Sequence, residues 1–379
     1  MTLAAAERLD DVALLETADP SSMLRQVASS AAQVREAARS AAEASLGGLA
    51  AGGRPRAIVV TGMGGSGIAG EVLAAVAGQG CPVQVTTVHD YRLPGWVGAA
   101  DLVIAVSCSG TTEETLSAAE EAVRRGCRLL GVGSQGSPLA GVAEQANAPF
   151  IGVKASGMPR SMLWGLSVPL VVAAARLGVL DMPEDAYESA AAELERVAYL
   201  CRPDSQAFVN PAKTLALELS GTLPMIWGTS QLTGVAAARF ACQLHENGKY
   251  PAIAGVLPEA NHNQVVTFDG PFAAGPHAAA LDPAVPAHPA EAPPVPLRLI
   301  LLRDTQEHPQ VARRREESAR IAADRGIEVT ELAASGDQPL ERLASLVTLI
   351  DYASVYLAIA NGIDPAPIAA IQELKARIA

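Results

Sequence analysis

Short apolar runs alternate with longer stretches of helical period along most of the chain. Ala57–Thr61 (AIVVT) stops at Gly62, and Ile68–Val76 follows with helical spacing. Val83–Val88 predicts a second strand and Asp101–Ser107 (DLVIAVS) a third, which small residues separate from a helix over Glu113–Arg125. Leu129–Val132 and Pro149–Val153 complete the set. Runs that are apolar throughout, rather than alternating, predict parallel strands covered on both faces. The plan then repeats. Pro224–Trp227 leads through Gly228-Thr229-Ser230 into a helix over Thr233–His245, and Leu297–Leu302 into a helix over Val311–Arg325. Ile327–Glu331 leads into an apolar helix over Glu341–Ala360. The expectation is an α/β chain with two doubly wound parallel-sheet domains and flanking helices. Residues 1–45 predict an N-terminal segment of one or two exposed helices, 46–178 a first domain, and 179–204 a helical bridge. Residues 205–363 predict a second domain and 364–379 a C-terminal helix. Eight prolines within 270–296 exclude helix and central strand there, and predict an exposed loop.

With 379 residues, the chain is too long for one ordinary core. Hydrophobic residues make up 49% and aromatics only 4%, so Ala, Val, Leu and Ile must build the cores, as suits a helix-rich α/β protein. A net charge of −12 counts against a nucleic-acid partner or an anionic membrane, both of which reward a basic face. It does not count against a phosphorylated small molecule, which backbone N–H groups and hydroxyls can hold. Five scattered cysteines without a CxxC pair read as reduced thiols in a cytoplasmic protein. The N-terminus lacks a signal-peptide pattern, and the apolar stretch Ser161–Ala175 is too short to span a bilayer. The six histidines show no HxH or HxxxH spacing, so neither a metal nor a cofactor is expected.

The strongest local signal is Thr61-Gly-Met-Gly-Gly-Ser-Gly-Ile-Ala-Gly70, between a strand and a helix. Its glycines let the backbone approach an anion, and the helix start offers unpaired N–H groups. Gly62, Gly64 and Gly67 also satisfy GxGxxG, but a dinucleotide site wants an acid closing the next strand, and Asp90 sits in a loop-like segment. A tight turn with no ligand is the plain alternative. The third strand ends in Ser107-Cys-Ser-Gly-Thr-Thr-Glu-Glu-Thr115, with hydroxyls at Ser107, Ser109, Thr111 and Thr112 before a helix start. Phosphate oxygens accept several such bonds. A capping box using Glu113 or Glu114 is compatible with that role.

These two loops resemble the sugar-isomerase (SIS) domain pattern. Further stretches narrow the resemblance to the bifunctional phosphoglucose/phosphomannose isomerase family. They are Met158-Pro-Arg160, Gln243-Leu-His-Glu-Asn-Gly-Lys249, Pro258-Glu-Ala-Asn-His-Asn263 and the ending from Asp364 to Lys375. The matches run in family order from about residue 57 to the C-terminus. The resemblance implies two SIS-type domains, with Gly64, Gly65, Ser66, Ser107, Ser109, Thr111 and Thr112 holding the phosphate of a sugar 6-phosphate. It also implies a homodimer in which His262 enters the neighbouring subunit's site.

Interconverting aldose and ketose phosphates needs a base between C1 and C2, an acid/base that opens the ring, and positive charge to steady the enediolate. Glu246, ending a helix that carries Gln243, is the candidate base; otherwise it is a solvated helix-end carboxylate. His262, between two amides, is the candidate for ring opening, since imidazole titrates near neutrality. Arg160 and Lys375 are the candidate cations. Arg160 could equally form a surface salt bridge, and Lys375 could complement a helix dipole. Lysine is scarce here, four against 24 arginines, which singles out Lys375.

Three features depart from the family pattern. Gln264 stands where an acid is expected beside His262, Glu71 replaces Asp after the Gly-rich loop, and the Pro-rich insertion follows the His262 loop. They leave open a second class of function, a non-catalytic phosphosugar-binding protein. A glucosamine-phosphate isomerase fits less well, for want of an ammonia-supplying domain, and a dehydrogenase least.

Overall fold

The computed structural model describes residues 3–183, 185–273 and 295–378. Most of the Pro-rich segment, and the loop expected for it, lies outside the described residues. The chain opens with helices α1 (Leu3–Asp10), α2 (Val12–Ala18), α3 (Met23–Ala28), α4 (Ser30–Glu43) and α5 (Gly47–Ala51). Then follow β1 (Ala57–Thr61), α6 (Ile68–Ala77), β2 (Gln84–Val88), β3 (Leu102–Ser107), α7 (Glu113–Arg124), β4 (Arg128–Gly133), α8 (Pro138–Gln145) and β5 (Phe150–Gly152). Helices α9 (Leu163–Arg176), α10 (Ala186–Leu200) and α11 (Pro211–Leu219) come next. The remainder is β6 (Leu223–Gly228), α12 (Gln231–Glu246), β7 (Ile253–Val256), β8 (Leu297–Arg303), α13 (Pro309–Asp324), β9 (Glu328–Ala333), α14 (Pro339–Ala360) and α15 (Ala369–Ile378).

Two compact units result. One comprises residues 26–195 and 337–344 and holds the first sheet; the other comprises 1–25, 196–336 and 345–379 and holds the second. The first sheet is parallel throughout, in the order β2-β1-β3-β4-β5, with Ile58 paired to both Val85 and Leu102. Strands β1 and β3 are buried along their whole length, as their unbroken apolar runs require. The chain changes direction across the sheet between them, so the loops after β1 and β3 flank the crevice where ligands of such sheets sit. Gly62 permits that approach, because a Cβ there would lie 2.9 Å from the Val106 carbonyl oxygen.

Helix α4 packs on α9 and buries Gln33, Val34, Ala37 and Ala41, while Arg35, Glu36 and Arg39 take the outer face. The N-terminal segment is therefore not simply exposed helix. Alanine at helical spacing makes a core stripe that lets two helices approach closely. Pro169 lies inside α9 and has no N–H, so the Gly165 carbonyl lacks its helical partner.

The second sheet, β7-β6-β8-β9, is also parallel, with Ile226 paired to Ala254 and Ile300. Its core includes Trp227, Leu299 and Leu301, with Trp227 stacked on Phe268 at 5.6 Å between ring centroids. Among the described residues, α14 is the one helix long and apolar enough to cross a membrane, and 94% of its apolar window is buried within the protein.

Candidate functional site

The loop after β1 tightens into a 3-10 turn over Gly64–Ser66, which Gly64 enters at φ +52°. The Ser66 hydroxyl accepts from the Cys108 amide at 3.1 Å, which ties this loop to the one after β3. In that second loop, Ser107 Oγ accepts from the Gly110 amide (3.0 Å) and pairs with Thr112 Oγ1 (2.9 Å). Ser109 Oγ accepts from both the amide (3.2 Å) and the hydroxyl (2.9 Å) of Thr111. Ser66 and Ser107 are buried, whereas Ser109 and Thr111 face solvent. Thr112 occupies the N-cap of α7 but makes no side-chain capping bond. The capping-box alternative is therefore not realised. The first-turn amides of α7 stay available to an external acceptor, which the helix dipole favours when it is anionic.

Arg160 lies on a 3-10 turn, Pro159–Ser161, that packs on the Gly-rich loop; a Cβ on Gly65 would stand 3.1 Å from the Pro159 carbonyl oxygen. At 3% exposure Arg160 is no surface salt-bridge residue, so that alternative falls. The loops and Arg160 thus share one unit and one crevice. His89 Nδ1 lies 2.9 Å from the Gly62 carbonyl oxygen, and its Nε2 is 3.6 Å from Glu71. A neutral His89 ring would therefore carry its proton on Nδ1. Glu71 faces the other edge of this ring, and the two attract only when the imidazole carries both protons.

The second sheet repeats the architecture without repeating the cradle. Ser230 and Thr233 form a complete capping box at the start of α12. The Ser230 hydroxyl donates to Asp304 Oδ2 at 2.7 Å, and the Asp304 amide donates to Thr229 Oγ1 at 2.9 Å. Asp304 follows β8 as the hydroxyl loop follows β3. Its buried carboxylate supplies internally the negative group that an anion would bring. One open cradle and one closed cradle follow from these hydroxyl partners.

Glu246, His262 and Lys375 all belong to the second-sheet unit. Glu246 is the last, half-buried residue of α12. That helix end is pinned from beneath. Arg239 and Asp351 form a buried pair (2.5 and 2.9 Å), and Asn247 Nδ2 donates to Ser354 Oγ at 2.9 Å. Burial pushes the Asp351 carboxyl up, while Arg239 and Gln243 hold it down. Breaking such a buried pair costs about 3–5 kcal/mol, so the helix end is stiff. Lys249, at φ +50°, aims its ammonium at the carbonyls of Glu246, Asn247, Asp364 and Pro365, at 3.0–3.3 Å. Lys213 is fully buried, donating to the Pro203 and Ser205 carbonyls at 2.8 and 2.7 Å. Two of the four lysines are thus structural.

His262 ends a 3-10 turn, Glu259–His262, and is exposed. Lys375 lies on α15, which buries none of its residues. Neither side chain makes a hydrogen bond or ion pair among the described residues. Gln264 is turned inward: it accepts from Trp227 Nε1 at 2.6 Å and donates to the Ala254 carbonyl at 3.1 Å. An ionised acid could not make the second bond. The amide at 264 is therefore a structural group of the second core, not a charge deleted from beside His262. No group of three or more potential metal ligands occurs among the described residues.

Three groups of importance here were not singled out by sequence: Asp304, the Arg239–Asp351 pair, and the glutamines Gln26 and Gln33. Lone charges inside Ala- and Leu-rich helices were the available signal for the pair, since a buried charge must find a partner.

Comparison with known proteins gives a consistent result. A family model described as the bacterial phospho-glucose isomerase C-terminal SIS domain matches residues 208–378. A bifunctional phosphoglucose/phosphomannose isomerase of Caldicellulosiruptor bescii is 32% identical over 322 residues, 85% of this chain and 89% of that one. One from Aquifex aeolicus is 30% identical, over 84% and 89%. Among solved structures, a hypothetical protein from Thermus thermophilus superposes with a TM-score of 0.68 at 16% identity, covering 99% of this chain and 93% of that one.

Proposed function

The chain belongs to the bifunctional phosphoglucose/phosphomannose isomerase family, and from that premise we propose that it moves a proton between C1 and C2 of sugar 6-phosphates through a cis-enediol. It is a sugar-phosphate isomerase acting on glucose and mannose 6-phosphates, with fructose 6-phosphate as their common ketose. The observation that carries the mechanistic part is the single open cradle: hydroxyls and uncapped helix amides at the β1/β3 crevice, with Arg160 beside them. Gly64, Gly65, Ser66, Ser107, Ser109, Thr111 and Thr112 hold the phosphate. Glu246 removes the C1 proton of the open ketose and returns it to C2. His262 shuttles the proton that opens the ring, breaking the bond between the anomeric carbon and the ring oxygen. Arg160 and Lys375 steady the negative charge that develops on the enediolate oxygens. The scheme calls for no cofactor.

The working unit is a homodimer in which His262 serves the neighbouring subunit. Its exposed, unengaged ring supports this, as do the exposed Ile371, Leu374 and Ile378 of α15. Five free thiols suit a cytoplasmic location, with no nucleic-acid or membrane partner.

Solvent isotope tests the proton path. Fructose 6-phosphate turned over in D2O should give aldose products carrying deuterium at C2, since a carboxylic acid exchanges its proton with solvent. Products free of deuterium after many turnovers would point to direct hydride transfer and remove Glu246 from the scheme.

A further inference from the structure

The turn that carries Arg160 is held by two glutamines that lie outside every recognised motif. Gln26 Oε1 accepts from the Met158 amide at 2.7 Å and, at 3.0 Å, shares the Ser161 hydroxyl proton with the Met158 carbonyl oxygen at 2.7 Å, so both ends of the turn meet at one atom. Gln33 is buried; its Nε2 donates to the Ser161 carbonyl at 2.9 Å, and its Oε1 accepts from the Gly165 amide at 3.3 Å. Ser161 is thus gripped by its hydroxyl and its carbonyl, and the turn is joined to the first turn of α9. We propose that Gln26 and Gln33 are positioning residues that set where the Arg160 guanidinium stands, an inference that rests on the role given to Arg160 above.

On one side the turn meets the Gly-rich loop, where a Cβ on Gly65 would come 3.1 Å from the Pro159 carbonyl oxygen. Beyond the turn, Gln33, Met162 and Gly165 help line a cavity of about 300 Å³ that none of Pro159–Ser161 borders. Arg160 and Ser161 are buried, so the glutamine hydrogen bonds set the turn's position together with its packing on the Gly-rich loop. Gly157 makes room for the clamp: a Cβ there would lie 2.5 Å from Gln26 Oε1. Gln33 also needs both ends of its amide, one donating and one accepting, which neither Glu nor Met can reproduce. A guanidinium carried on a three-residue turn moves with the turn. Misplacement by about 1 Å is enough to cost on the order of a hundredfold in rate.

A double-mutant cycle on fructose 6-phosphate isomerisation tests this. Gln33→Met and Gln26→Met should each lower kcat by roughly ten- to a hundredfold, with KM changed far less, because the phosphate hydroxyls are untouched. In an Arg160→Ala background the same substitutions should cost nothing more. Equal losses in both backgrounds would overturn the inference and leave the glutamines as general stabilisers. Wild-type activity of Arg160→Ala would overturn the role of Arg160 itself, a distinct result. Should Gln33→Met melt early, half-buried Gln26→Met carries the same comparison.

Discussion

Glu246→Gln should lower kcat for fructose 6-phosphate by about a thousandfold and leave KM nearly unchanged, because an amide keeps the size of the carboxylate but cannot take a proton. The large effect follows from where Glu246 sits. It closes α12, about two helical turns beyond the buried Arg239–Asp351 pair, and the next residue, Asn247, is buried and bonded to Ser354. Lys249 gathers the carbonyls of 246, 247, 364 and 365 around its ammonium, so the backbone that bears the carboxylate has little freedom. A base on so fixed a backbone cannot easily be replaced by a neighbour. Glu246→Asp, which withdraws the carboxylate by one methylene, should fall between wild type and Gln. Steady-state kinetics on purified variants checks both; loss of less than about tenfold in Glu246→Gln would place the base elsewhere.

His262→Ala should be comparably damaging on ring-closed substrate, and mixing experiments should show whose site it serves. Homodimers of Glu246→Gln and of His262→Ala are each expected to be nearly inactive. If His262 enters the neighbouring subunit, a hybrid dimer places both lesions in one site and leaves the other intact. Random reassociation should then restore about a quarter of wild-type activity. If His262 serves its own subunit, each site of the hybrid keeps one lesion and nothing is restored. The exposed imidazole and the wholly unburied α15 are the features that favour the first outcome.

Much of this architecture was legible in the sequence, for identifiable reasons. Continuous apolar runs such as AIVVT and DLVIAVS can only be strands buried on both faces, and the structure has β1 and β3 there within a residue. Glycine and hydroxyl clusters at the ends of those strands marked the crevice, because a close backbone approach and a free helix start need those residue types. The edge strand β7 was not legible, being four residues with a glycine in the middle. Nor was the core role of α4, whose alanines are equally at home on a surface. Gln264 shows a subtler limit. Spacing placed it next to His262, but a side chain's direction depends on partners remote in sequence, here Trp227 and the Ala254 carbonyl. Asp304 was invisible for the same reason, its partners Ser230 and Thr229 lying more than seventy positions away. Gln26 and Gln33 carry no motif at all, since an amide that holds a loop has no sequence pattern of its own.

The most direct test of the central claim is a coupled assay of the purified wild-type chain on fructose 6-phosphate in the presence of a chelator, reading both aldose products. Glucose 6-phosphate and mannose 6-phosphate should both form, because the planar enediol can be protonated on either face of C2. Thermal stabilisation by the sugar phosphates without formation of either product would contradict it, and would mean that the hydroxyl cradle binds phosphosugars in a chain that does not turn them over.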